Sequence, residues 1–458
     1  MSKRNYFFIA LITVTSVFVT AYFVYEKHIK IKENILIIGY GQSLVTGMEG
    51  WPAITTNNST SNTFMIGESV RPDSRRSKSY NTIGFGVNHI HSVSQKLNES
   101  SVIMSTEDIL KLKRGDLSEG EEPIVGAVTS LSKFRYINNK NIFGMNAGVS
   151  GFNIIHLGKG SPYYQRFTDA VSLFKRNSDE MNLKSKVSSI VFMQGEANYD
   201  TRDENNIRDK EGYGKRLGVL FDNMIKDSML ITGQKNSPLI FTYQTGGKFS
   251  KDDLDLSIGM AQLEVSNAKK GVYLVGPTYQ YPDKNGHLDP NSYRWFGVQI
   301  AKVMRQVIDK KEKWEPLQPK SVLLSDGKIV VNYNVPRPPL KFSTSYVSYE
   351  PVMYKDKGFT LYDSNGHVDI SSVEITAQDE ITITPSRKIT GSAKLFYADK
   401  TYHNGNGNVS DSDDAVSPYK YEYKEGSGQY PESNIKELVG KPYPLNNFSV
   451  AFCLPVQK

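Results

Sequence analysis

Four short polar segments, each following an apolar run, carry the residues able to do chemistry. The first is Gly39-Tyr40-Gly41-Gln42-Ser43-Leu44, which closes the run beginning at Asn34. A serine at the start of a helix, past the carboxyl end of a strand, gains from nearby backbone N–H groups and the helix dipole, so Ser43 is a candidate nucleophile. The same place suits a helix N-cap serine. Gly39-x-Gly41 also opens a nucleotide-binding glycine turn, although that motif's third glycine is absent. The second segment is Asn146-Ala147-Gly148-Val149-Ser150-Gly151, where a glycine lets a backbone N–H approach a substrate oxygen. Ser150 is not a hydrolase elbow serine, because Phe152 replaces that motif's second glycine. The third is Gln194-Gly195-Glu196-Ala197-Asn198, a dense polar set at a strand end that reads either as a site or as a solvated loop. The fourth places Asp283 and Asp289 on either side of His287. A carboxylate near a histidine fixes the imidazole tautomer and stabilises its charged form, which is what a general base requires. His89 and His91 form an HxH pair without a third ligand and read as structural or surface residues, so no metal site is expected.

The elements that must position these residues follow from periodicity. Short continuous apolar runs at Asn34 to Gly39, Asn141 to Met145, Val187 to Met193, Pro238 to Tyr243 and Gly271 to Val275 predict strands buried on both faces. Helical spacing at Tyr163 to Lys175, Tyr213 to Lys226, Asp252 to Lys269 and Ser292 to Asp309 alternates with them. Such alternation predicts an α/β domain over 34–312, a parallel sheet with helices on both faces. The polar stretch from Trp51 to Lys140 is long for one crossover. It predicts a helix around Phe85 to Leu97 within loops that shape a substrate site. Past a Pro-containing linker at Trp314, alternating runs such as Lys328 to Tyr333, Val373 to Ala377, Glu380 to Thr384 and Ala393 to Ala398 predict a β-sandwich over 318–458. His403 to Asp414 reads as a loop.

The chain has 458 residues, 38% hydrophobic and 22% charged, with a formal net charge of +7. No basic run accompanies that charge, and Glu119 to Glu122 interrupt it, so a nucleic-acid partner is not expected. Cys453 is the one cysteine, which excludes an intrachain disulfide and a cysteine-based zinc site. Lys3 and Arg4 precede an apolar run from Tyr6 to Tyr25, near the ~20 residues a membrane-crossing helix needs. The run over 1–33 is expected to be a signal-anchor, or a cleavable signal peptide with Val19-Thr20-Ala21 as its site, and either places the rest outside the cytoplasm.

Taken in order, the four segments resemble the SGNH (GDSL-type) hydrolase superfamily, closest to its sialate O-acetylesterase-like and acetylxylan esterase-like branch. Gly41-Gln42-Ser43 matches the first block, Gln194-Gly195-Glu196 the third, and the Asp/His segment the last. The resemblance implies a three-layer flavodoxin-like fold, no cofactor, and an acetylated carbohydrate as substrate. It implies Ser43 as nucleophile, His287 as base, Asp283 as the group orienting His287, and an oxyanion hole of Ser43 N–H, Gly151 N–H and the Gln194 side chain. Gln42, Glu196, Asn198 and Asp289 are the supporting candidates. Two departures leave roles open. The usual acid stands three residues before the histidine, whereas Asp283 stands four before and Asp289 two after, so Glu196 or a backbone carbonyl competes for the orienting role. The third block lacks the common Gly-x-Asn-Asp form, so Glu196 and Asn198 compete with Gln194. A lipid or thioester hydrolase of the same fold and a catalytically silent glycan-binding protein are the alternatives.

Overall fold

The computed structural model describes residues 33–458 apart from 58, 59, 61, 98, 99, 134–138, 201 and 252–254. The expected membrane segment lies outside the described residues. Among the described residues no helix is long and apolar enough to cross a membrane.

Strands β1 (Glu33–Gly41), β2 (Thr63–Ile66), β3 (Val87–His89), β4 (Lys140–Asn146), β5 (Lys184–Met193), β6 (Leu239–Gln244) and β7 (Val272–Pro277) form one sheet in the order β3-β2-β4-β1-β5-β6-β7. Every pairing is parallel except that of β2 with β3. The two faces can be read from β1. Ile35 and Ile37 point into a core shared with the Pro123–Lys133 and Pro290–Met304 helices. Leu36, Ile38 and Tyr40 point into a second core with the Tyr164–Glu180 and Lys210–Thr232 helices. A strand apolar on both faces must be covered on both, and three layers result. β1 lies between β4 and β5, where the winding of the sheet reverses, so its carboxyl end opens the crevice typical of ligand sites in such sheets.

The five predicted strands all form, each within a few residues of its expected bounds, and so do the four helices. The helix expected around Phe85 to Leu97 does not. Val87–His89 instead pairs antiparallel with β2 and extends the sheet by an edge strand, while helices of this insertion lie at Thr106–Leu110 and Pro123–Lys133. The insertion is fastened by Arg71, which is buried and donates to the carbonyls of Thr46, Gly120 and Val93.

Beyond the helix ending at Met304 the chain builds two four-stranded antiparallel sheets. One contains Gln318–Ser325, Lys328–Asn334, Glu380–Pro385 and Ile370–Ala377; the other contains Gly366–Val368, Phe359–Asp363, Ala393–Tyr397 and Phe452–Pro455. Ile329, Val331, Ile381 and Ile383 of the first meet Phe359, Leu361 and Leu395 of the second in one core. The segment expected as a loop from His403 to Asp414 includes the end of a short helix, Lys400–His403, and a strand, Val409–Asp411. The chain then returns to the α/β layer: Arg294 of the Pro290–Met304 helix donates to Tyr443 Oη, Lys420 O and Glu422 Oε1.

In this β-rich part the His403 imidazole is buried between two carboxylates, Asp399 at 2.7 Å from Nδ1 and Asp356 at 2.9 Å from Nε2. Burial alone would push His403 down; the hydrogen bonds to Asp356 and Asp399 outweigh it and lift the imidazole to about 9. A raised folded-state value stabilises at pH below the unfolded value of about 6.5 and loses that contribution as pH rises through about 9. The stability difference between the native chain and His403→Gln, followed by urea unfolding, is expected to be largest below pH 6 and to shrink steadily between pH 6.5 and 9. A difference that is constant over that range would contradict the charged staple.

Candidate active site

Ser43 opens the four-residue helix Ser43–Thr46 directly after β1. The strand end comes close to β5: a Cβ at Gly41, where φ is +137°, would lie 2.0 Å from the Met193 carbonyl oxygen, so only glycine allows this approach. Gln42 N–H then donates to that same carbonyl at 2.8 Å. Ser43 Oγ lies 2.9 Å from His287 Nε2, and His287 Nδ1 lies 2.7 Å from Glu49 Oε2. The two contacts form a serine–imidazole–carboxylate relay.

Glu49 is the residue that sequence reasoning missed. It sits six positions past the serine, on the turn that ends the serine's own helix, and its backbone adopts φ +57°. A non-glycine residue held there costs about 1–3 kcal/mol and persists only where its surroundings impose it. They do: Glu49 N–H donates to Ser118 O and Gly50 N–H to Gly47 O. Glu49 is only 5% exposed. A signal was present, because Glu49 is the only Asp, Glu, Lys, Arg or His between Glu33 and Glu68.

Asp283, expected to orient His287, does something else. Its carboxylate accepts from Gly286 N–H at 2.5 Å and from Ser348 N–H at 3.0 Å, which closes the hairpin of β8 (Asp283–Lys284) and β9 (His287–Leu288) and ties it to the β-rich part. Burial pushes its carboxyl above the ordinary range. With four residues of spacing the chain turns through the hairpin, and Asp283 satisfies that turn rather than the imidazole. Asp289 is also elsewhere, capping the Pro290–Met304 helix through Asn291 N–H and accepting from Tyr349 Oη. Beside it, Lys284 is buried, donates to Trp51 O at 2.5 Å, and stands 3.8 Å and 4.3 Å from the ring centroids of Trp51 and Tyr430. Burial pushes this ammonium down to about 7, against the pull of the Asp289 and Glu49 carboxylates. Lys284 pairs with His287 across the hairpin, so this clamp fastens the histidine's hairpin to the loop that carries Glu49.

The second segment is set beside the serine by Val149 N–H to Gly41 O at 2.8 Å and by Thr46 Oγ1 to Ser150 Oγ at 3.0 Å, which brings Gly151 to the cavity wall. Gln194 is not at that wall. It is fully buried, its NH2 donates to Asn198 Oδ1 at 2.6 Å, and its Oε1 accepts from Tyr213 Oη. Asn198 is likewise consumed inward, accepting from Ile154 N–H and donating to Ile207 O. The glutamine that does reach the cavity is Gln42. Its Oε1 accepts from Gly195 N–H, Ala197 N–H and Gln194 Nε2, which fixes the flip of the amide. Its NH2 has no acceptor among the described residues. Glu196 lines the cavity too, accepting from Tyr243 Oη through Oε2, and burial pushes its carboxyl up.

The relay opens into a cavity of about 560 Å³. Apolar groups (Met48, Leu117, Phe249) and charged ones (Arg75, Glu196, Asp200, Arg202, Lys251) share its wall. Phe249 packs on His287 with ring centroids 5.3 Å apart. A Cβ at Gly286, φ +108°, would meet that ring at 2.5 Å, so the hairpin turn must be glycine.

No protein-family profile matches the chain, and no curated relative matches it. Among solved structures it is similar to a carbohydrate acetylesterase from Xanthomonas citri, with TM-score 0.53 at 12% identity over 92% of this chain and 80% of that one. Weaker likenesses are to NanS (TM-score 0.42, 10% identity, 62% and 99% covered) and to Est24, a carbohydrate acetylesterase from Sinorhizobium meliloti (0.30, 12%, 60% and 100%). At these identities the likeness is one of fold. With the Xanthomonas citri protein the chain shares the three-layer α/β fold expected from its four segments, together with a further β-rich part.

A proton held between an imidazole nitrogen and a carboxylate is deshielded and resonates far downfield. A downfield Nδ1–H resonance of His287 is expected in the native chain and in Asp283→Asn, and is expected to vanish in Glu49→Gln. Its survival in Glu49→Gln would show that another group orients the histidine.

Proposed function

We propose that the chain is a serine esterase that removes O-acetyl groups from a carbohydrate. The observation that carries this reading is the unbroken relay Glu49–His287–Ser43, with its serine facing a cavity of sugar-sized volume. Fold likeness to a carbohydrate acetylesterase supports it.

In this reading Ser43 Oγ attacks the acetyl carbonyl as His287 Nε2 takes its proton. Glu49 holds the Nδ1–H tautomer and offsets the imidazolium charge. The oxyanion is received by Ser43 N–H, by Gly151 N–H and by the Gln42 NH2 in place of the expected Gln194. The first N–H groups of a helix have no acceptor within it, which leaves Ser43 N–H available. The imidazolium then protonates the departing sugar oxygen, and an acetyl group remains on Ser43. Water, activated by the same imidazole, releases acetate. The charged wall of Arg75, Glu196, Asp200, Arg202 and Lys251 suits a hydroxyl-rich leaving group better than a long acyl chain. Acetylated glycans of a cell surface would place the chain outside the cytoplasm, in line with its N-terminal apolar run.

Four variants are tested with p-nitrophenyl acetate and an O-acetylated xylo-oligosaccharide. Ser43→Ala falls to background, and Glu49→Gln loses about 10³–10⁴-fold in kcat while Asp283→Asn stays within about tenfold of the native chain. Gln42→Ala loses about 10²–10³-fold in kcat with little change in KM. An inactive native chain, or a Glu49→Gln variant as active as the native one, would refute the reading.

A further inference from the structure

Three arginines that approach the cavity or the segments framing it are already engaged. Arg71 is buried against carbonyls and Gln95. Arg166 donates to the carbonyls of Ser74, Arg75 and Ser77. Arg202 grips Asp200 through Nε and Nη2. Arg75 differs. It lies on the wall of the catalytic cavity, and its side chain makes no hydrogen bond or ion pair with the described residues. Its Nε is nevertheless shut off from water. The carboxylate whose charge favours the guanidinium, Glu119, is committed to Arg71 at 3.6 Å and to Ser150 Oγ at 3.3 Å. Burial, with Arg76 alongside, disfavours its charge. Of the two cavity carboxylates, Asp200 is held by Arg202 and Glu196 is turned to Tyr243.

A half-buried guanidinium without an acceptor, facing the space beside a nucleophile, is a donor fork waiting for a planar anion. Arginine presents parallel N–H groups that match a carboxylate in bidentate fashion. We propose that Arg75 is a carboxylate-binding subsite and that the sugar deacetylated here carries a carboxylate, as a uronic or other acidic sugar does. This inference rests on the esterase reading and narrows its substrate class. The single positive charge of Arg75 balances one carboxylate, while Phe249 and Leu117 offer apolar contact for a ring face.

The test is equilibrium binding to a Ser43→Ala chain, which cannot turn the ligand over. The probes are a mono-O-acetylated methyl glucuronoside and its uronamide, identical except for the charge. The acid is expected to bind about 10- to 100-fold more tightly than the amide, the scale of charge-assisted hydrogen bonds. Adding Arg75→Gln is expected to bring that ratio close to one, and Arg75→Lys to restore part of it, with melting temperatures unchanged. Equal binding of acid and amide, a preference that survives Arg75→Gln, or no binding of either would overturn the proposal. Failure of the esterase reading shows separately, as a native chain that leaves p-nitrophenyl acetate intact.

Discussion

An imidazole accepts a serine proton efficiently when its far nitrogen is held by an acceptor that fixes the tautomer, and in the proposed relay that acceptor is the Glu49 carboxylate. This one bond constrains much of the molecule. It joins two segments 238 residues apart in sequence and must keep them within hydrogen-bond distance. Gly41 presses β1 against β5 to place Ser43. The turn after Ser43 takes Glu49 through a left-handed backbone conformation. From the other side, the hairpin delivers His287, closed by Asp283 and pinned by Lys284 to the Trp51 carbonyl.

The β-rich part has a physical role in that arrangement. Ser348 bonds Asp283 in both directions, and Tyr349 reaches Asp289. The Tyr430 ring completes the aromatic enclosure around the Lys284 ammonium. Asn406 donates to the carbonyls of Tyr279 and Tyr346, and Gly247 N–H donates to Gly405 O, beside the turn that carries Phe249 onto His287. Gln244 and Ala451 exchange two hydrogen bonds across the junction. The hairpin is too short to hold His287 by its own ladder, so the placement of the imidazole comes from what the hairpin is packed against. The Lys284 clamp tolerates burial because a carbonyl, two ring faces and the Asp289 and Glu49 carboxylates surround the charge.

Much of this was legible from residue patterns. Continuous apolar runs identified β1, β4, β5, β6 and β7, five of the six parallel strands, since strands buried on both faces are restricted to apolar residues. Ser43, Gly151 and His287 stood out because each follows or precedes such a run with a glycine or polar cluster, and the structure brings all three to one cavity. The carboxylate that meets His287 did not stand out, because proximity in sequence favoured Asp283 and Asp289, whereas the fold brings Glu49 to it from the serine's side. Gln194 and Gln42 are a similar case: the strand end fixes both, but only the hydrogen-bond network decides which amide faces inward. The edge strand Val87–His89 was hidden because a three-residue strand lacks a period to read. The return of the C-terminal segment to the α/β layer rests on contacts such as Arg294 with Glu422, which no local pattern announces.

The most direct test of the relay and its oxyanion site is a crystal structure of the chain after reaction with a small alkyl phosphonofluoridate, a mimic of the tetrahedral intermediate. The account predicts phosphorus bonded to Ser43 Oγ, His287 still on Glu49, and the phosphonyl oxygen about 2.7–3.1 Å from Ser43 N, Gly151 N and Gln42 Nε2. An unmodified Ser43, an adduct on another serine, or a phosphonyl oxygen turned away from Gln42 toward a different donor would contradict it.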